Sequence, residues 1–247
     1  MSRKLITIST IMTLMSTSVI ADVPNVAADI APIHSLVSRV MDGVGAPKLI
    51  VQSGASPHGY RLRPSEAKAL QDADHVFWMG EELTPWLDSA IGTLASKASV
   101  TTLLDQQGVI LHDFREGALF EAHDHSAHGD DDHDDHDDHD DHDDHKDHDD
   151  HDDHDDHGSH DPHAWLSPEN AKLWLNIIAS KLSVSDPENA ATYFMNAAAG
   201  QAEIEAMIAE VKATLKPVQG GKFVVFHDAY QYFENDFDFY ASGAISL

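Results

Sequence analysis

Cysteine is absent from all 247 residues. Thiolate zinc sites, iron–sulfur clusters, disulfides and cysteine nucleophiles are therefore excluded within the chain. Positive charge is scarce: 15 Lys and Arg stand against 43 Asp and Glu, a net charge of −28. No basic patch is visible and a phosphate backbone would be repelled, so nucleic acid is not an expected partner. Long apolar runs are also lacking. The best candidate, LITISTIMTLMSTSVIA, is too short and too rich in Ser and Thr to span a membrane. It follows a basic MSRK start and closes on Val19-Ile20-Ala21, which predicts an export signal over residues 1–21 and a mature start at Asp22. The expected location is the periplasm or the cell exterior. With no cysteine to acylate, a lipid anchor is not expected, nor is the mature protein expected to be embedded in a membrane.

The negative charge that is present is unevenly placed. Residues 130–157 hold 18 Asp and one Lys, or −17, which leaves −11 for the rest of the chain. Within this stretch, Asp131–His157 is nine triplets ending in histidine: His133, His136, His139, His142, His145, His148, His151, His154 and His157. Its composition cannot offset the entropy of ordering, so a disordered loop is expected over about 121–160. Imidazole, with a pKa near ~6.5, is mostly neutral at pH 7 and free to bind a divalent cation beside carboxylates. Each ion would have to order the string locally, which predicts several weak, exchangeable auxiliary metal sites. A solvated linker is the alternative reading of such a charge run.

On either side of the repeat, short apolar segments alternate with amphipathic ones. PNVAADIAP, PKLIVQ, DHVFWMG and SVTTLL read as strands. IHSLVSRVMDGV reads as a helix with Ile33, Leu36, Val37, Val40 and Met41 on one face, and Ser65 is a candidate cap for EAKALQDA. This alternation argues for an α/β lobe with a parallel sheet over 22–185. Ser167-Pro168 and Asp186-Pro187 are helix-start signals. Residues 186–216, with a stripe of Ile204, Met207, Ile208, Val211 and Leu215, read as a long linker helix that Gly200 alone could interrupt. KFVVFH then begins a second α/β lobe at 217–247, too short to close a sheet of its own; truncation of a longer protein is the expectation.

Three histidines outside the repeat stand at strand ends or helix starts, where ligands gather in open α/β sheets: His58, His163 and His227. Three neutral imidazoles make a good Zn²⁺ site, with a fourth position for carboxylate or water. His34, His75 and His112 have no supporting motif and read as structural. Asp161 and Asp228, each near one of the three, are candidates either to orient an imidazole or to cap a helix.

The segments around these histidines, GASPHGYRLRPSEAKALQDADHVFWMGEELTPWL, DPHAWLSPENA and FVVFHDAYQYF, resemble signature regions of the solute-binding proteins of bacterial zinc-uptake ABC transporters. The resemblance spans about residues 22–247. It implies two Rossmann-like lobes with parallel sheets, joined by a long rigid helix, with Zn²⁺ in the cleft and His58, His163 and His227 as its ligands. It also implies a non-enzymatic, monomeric carrier that delivers zinc to an inner-membrane ABC permease. A histidine at position 227 favours zinc over manganese. Zinc-type members also commonly carry a histidine-rich acidic loop. In some of them a Glu precedes the first ligand, where this chain has Pro57, so a fourth ligand is unassigned. Two alternatives share the chemistry: a periplasmic zinc store or chaperone without a permease, and a three-histidine zinc hydrolase, against which the lack of an HExxH motif counts.

Overall fold

The computed structural model describes residues 23–115, 117, 119–120 and 160–246. The expected export signal and the nine repeat histidines lie outside the described residues. The first lobe runs β1 (Val26–Ala28), α1 (Ala31–Val40), β2 (Lys48–Leu49), α2 (Pro64–Gln71), β3 (His75–Trp78), α3 (Pro85–Leu94) and β4 (Ser99–Thr102). Its four strands are all parallel, in the order β2-β1-β3-β4.

Alternation along the strands fills two cores. Val26, Ala28, Phe77 and Met79 face a cluster with α1 residues Ile33, Val37 and Val40, whereas Ala27, Val76 and Trp78 face Leu70, Leu87 and Ile91 of α2 and α3. Both faces are therefore covered, as a parallel sheet requires. The chain leaves β1 toward β2 on one side and β3 toward β4 on the other. The carboxyl ends of β1 and β3 are thus a switch point, where a crevice opens. Asp29 closes this point from beneath: its carboxylate accepts N–H bonds from Ile30 and Met79, each at 2.7 Å. Burial pushes its pKa up to about 7, against the pull of these donors.

Two helices follow, α4 (Pro168–Ser185) and α5 (Ala190–Leu215). Ser167 caps α4 as its sequence suggests, accepting the Asn170 N–H at 3.4 Å. Gly200 does not interrupt α5; a methyl group there would stand 2.9 Å from Leu175 and 3.2 Å from Arg39. The glycine lets α5 lie close against α4 and α1. Tyr193, Ala197 and Gly200 are buried in this contact, and Ile204, Ile208, Val211 and Leu215 extend the stripe half-buried. Met207, expected in the stripe, is exposed. At 26 residues and ~1.5 Å per residue, α5 is about 39 Å long. One helical start also differs from its sequence reading. The N-cap of α2 is Arg63, not Ser65, because Pro64 occupies the first helical position and the Glu66 carboxylate reaches back to the Arg63 N–H at 2.8 Å.

The second lobe contains β5 (Val225–His227), α6 (Gln231–Phe237) and β6 (Ala244–Ser246). Strands β5 and β6 pair in parallel, with His227 opposite Ser246. The molecule is thus two parallel-sheet lobes joined by the long α4–α5 helices. No helix among the described residues is long and apolar enough to cross a membrane.

Candidate metal centre

Each of the three histidines is placed by a different element. His58 lies in the loop between β2 and α2. That loop is pinned on both sides of the histidine: the Trp86 indole N–H donates to the Pro57 carbonyl at 2.7 Å, and the Tyr60 hydroxyl donates to the buried Glu66 carboxylate at 2.8 Å. Tyr60 and Trp86 also meet ring to ring at 5.8 Å. The Pro57 position therefore contributes a carbonyl acceptor that fixes the loop.

His163 immediately precedes a short 3-10 turn, Ala164–Leu166, which runs into the Ser167 cap of α4. It is buried, and one oxygen of Asp161 serves it twice, accepting its backbone N–H at 2.9 Å and standing 2.6 Å from its Nδ1. A proton on Nδ1 between these atoms leaves the Nε2 lone pair turned outward. Asp161 is itself fixed, since the Tyr232 hydroxyl donates to its carbonyl at 2.6 Å and its N–H donates to the His112 carbonyl at 2.7 Å. The Trp165 ring, 5.1 Å from that of His163, forms an adjacent wall. His227 is the last residue of β5 and brings its imidazole to the same point from the second lobe.

The three rings face one another, with centroids 5.1 to 5.7 Å apart. One ligand atom from each lies within 4.8 Å of the others. The Nε2 atoms of His163 and His227 are 3.3 Å apart. Two nitrogens bound to a tetrahedral zinc at 2.0–2.1 Å must stand about 3.3 Å from each other, so this pair already has the edge length of a zinc tetrahedron. Among the described residues no fourth His, Cys, Asp or Glu joins the group.

Local electrostatics favour the neutral form of His58 and His227. The pKa of His58 is lowered, first by loss of water around its ring and then by repulsion from His163 and His227. That of His227 is lowered by burial and then by His163. Protons thus compete less for these nitrogens than for a free imidazole.

His34, His75 and His112, outside the group, have structural partners. His34 meets the Pro47 carbonyl at 3.2 Å, His75 meets Ser185 at 2.7 Å and stacks on Phe77, and His112 packs on Tyr232. Asp228, weighed as an orienter of His227, pairs instead with Arg115. Neither Trp86 nor Arg115 is singled out by the sequence. Their partners are 29 and 113 residues away, and no local pattern encodes such contacts.

The chain is similar to known zinc-uptake proteins. Residues 26–246 match the family described as "Zinc-uptake complex component A periplasmic". The High-affinity zinc uptake system protein ZnuA of Brucella abortus (strain 2308) is 50% identical over 224 residues, covering 90% of this chain and 67% of its own length. Its counterpart from Paracoccus denitrificans is 48% identical over 227 residues, covering 92% and 68%. A crystal structure of a zinc-bound ZnuA deletion mutant superposes with a TM-score of 0.68 at 22% identity, over 92% of this chain and 71% of that one, and so shares the fold.

Proposed function

The chain belongs to the zinc-uptake component A family of periplasmic proteins, and from that premise we propose that it captures Zn²⁺ between its lobes and hands it to an inner-membrane ABC permease. Zinc is cargo here, held by reversible coordination and released unchanged. His58, His163 and His227 are the ligands in this reading, with water or a further oxygen in the fourth position. The single observation that supports it most is the 3.3 Å spacing of the His163 and His227 nitrogens, with His58 beside them. An all-imidazole set suits zinc better than manganese, which prefers carboxylate and water. As a member of a transport family the protein is a binding protein and not an enzyme, so the three-histidine hydrolase is set aside.

In the same reading residues 1–21 direct export, residues 186–216 are the strut between lobes at 22–185 and 217–247, and the carrier works as a monomer. The Asp/His repeat collects zinc weakly near the cleft, with His133 to His157 as exchangeable donors. The decisive experiment is a zinc titration against a chromophoric chelator with His58, His163 and His227 replaced by Ala one at a time. Each replacement should weaken one tight site and leave a set of weak sites in place. Tight binding that survives all three replacements would refute the assignment.

A further inference from the structure

Ile110, His112, Arg115, Leu119 and Phe120 mark an arm that leaves the first lobe and is fastened to the second. At its root, Ile110 and Asn170 of α4 exchange two hydrogen bonds, at 2.8 and 2.9 Å. Further along, the His112 N–H donates to the Tyr232 hydroxyl of α6 at 3.1 Å. At the tip, Leu119 bridges Gly243, and the Phe120 N–H donates to the Ser242 carbonyl at 3.1 Å, just before β6. Between root and tip stands Arg115. Its Nε donates to Asp228 at 3.1 Å, one terminal nitrogen donates to the other Asp228 oxygen, and the second terminal nitrogen donates to Glu234 at 2.6 Å. The Phe120 ring lies over the guanidinium, 3.6 Å from its central carbon. Asp228 and Glu234 are 11% and 2% exposed, so these carboxylates have little water to fall back on.

We infer that Arg115 is a positioning residue for zinc: through Asp228 it fixes where β5 delivers His227 relative to His163. Asp228 is the residue after His227, and its own N–H is tied to the Ser246 carbonyl at 3.1 Å. Fork-shaped, two-nitrogen pairing restrains the direction of the Asp228 side chain as well as its distance. The same arm also holds the other ligand's support, because the His112 carbonyl accepts the Asp161 N–H. One stretch of chain therefore sets the surroundings of a histidine from each lobe. Without the guanidinium, Asp228 and Glu234 would be left as two unpaired, poorly hydrated carboxylates that repel each other at the base of His227. This inference rests on the three-histidine reading.

The test is zinc competition against a chelator strong enough to empty the weak sites, using the full chain and the substitution Arg115→Met. Outer-shell supports of metal ligands typically contribute 10- to 100-fold in affinity, so a loss of about tenfold is expected. Arg115→Lys keeps the charge without the fork and should fall between wild type and Arg115→Met. The same substitution is then placed in two backgrounds, with the chelator matched to each. Its effect should persist with His58→Ala and vanish with His227→Ala, where no ligand remains for it to place. An equal loss in both backgrounds would make Arg115 a general stabiliser and overturn the inference, as would unchanged affinity. Should Arg115→Met fail to fold, Asp228→Asn carries the same cycle, since it leaves the Arg115–Glu234 pair in place. Failure of the underlying reading looks different: His163→Ala and His227→Ala would themselves leave tight binding intact.

Discussion

A single oxygen of Asp161 holds His163 by two contacts, 2.9 Å to its backbone nitrogen and 2.6 Å to Nδ1. The carboxylate thereby selects the tautomer that presents Nε2 to the cleft. Asp161→Ala should cut zinc affinity by about 10- to 100-fold. Asp161→Asn, which can still accept through its amide oxygen, should lose less. Chelator competition on both variants measures this, and equal affinities for wild type and Asp161→Ala would show that the ring needs no such support.

The lowered pKa values of His58 and His227 set a pH window. Zinc affinity should level off as pH rises past ~6.5, the point at which free imidazole is half neutral, and should fall at lower pH as protons claim the ligand nitrogens. Metal-free stability should change in the same direction. Below pH ~6.5 the unfolded chain takes up protons on these two histidines more readily than the folded one, so their contribution is full above that value and is lost as pH falls. Thermal unfolding and zinc titration across pH 5 to 8 would check both. Affinity that rose on acidification would contradict imidazole coordination.

Trp86→Phe would keep the aromatic contact with Tyr60 and remove only the N–H that holds the Pro57 carbonyl. The lost bond should lower stability by about 0.5–1.5 kcal/mol. If the pinned loop pre-positions His58, zinc affinity should drop several-fold as well. Because the contact is local to His58, combining Trp86→Phe with His58→Ala should give no further loss of affinity.

Gly200→Val would force branched carbons into the space where even a methyl group meets Leu175 at 2.9 Å. Overpacking of this kind costs about 1–3 kcal/mol. Denaturant unfolding should show that loss. Gly200→Ala should be milder, because the gain in helix propensity, about 1 kcal/mol, offsets part of the crowding at the flexible Leu175 side chain.

Removing residues 121–159 should abolish the proposed weak, numerous zinc sites and spare the tight one, with calorimetry as the measurement. In the proposed function the imidazole-rich triplets supply the first kind of site, and His58, His163 and His227 supply the second. Loss of tight binding in this variant would move the main site into the repeat.

Much of the fold is legible in the sequence because its causes are local. The alternation that makes β1 and β3 serve two cores is written in consecutive residues, and Ser167-Pro168 starts α4 by chemistry contained within one turn. The Arg63 cap shows the limit of such reading. Ser65 has the preferred side chain, but Pro64 fixes the start and a buried Glu66, also bonded to Tyr60, completes it. The continuity of α5 is a similar case, since Gly200 reads as a possible break until Leu175 and Arg39 are seen pressed against it.

The sequence by itself determined the residue types available to a metal: no thiols, three isolated histidines at the ends of elements, and a separate acidic imidazole string. It also determined the family and the alternation that yields parallel sheets. Only the tertiary structure decided that nitrogens from residues 163 and 227 stand 3.3 Å apart, that Asp161 and not Asp228 touches a ligand ring, and that Arg115 reaches across 113 residues to Asp228. The reason is physical: side-chain types and periodicities act within a few residues, whereas the distance between donors depends on how two lobes pack, and no short stretch of chain contains that information.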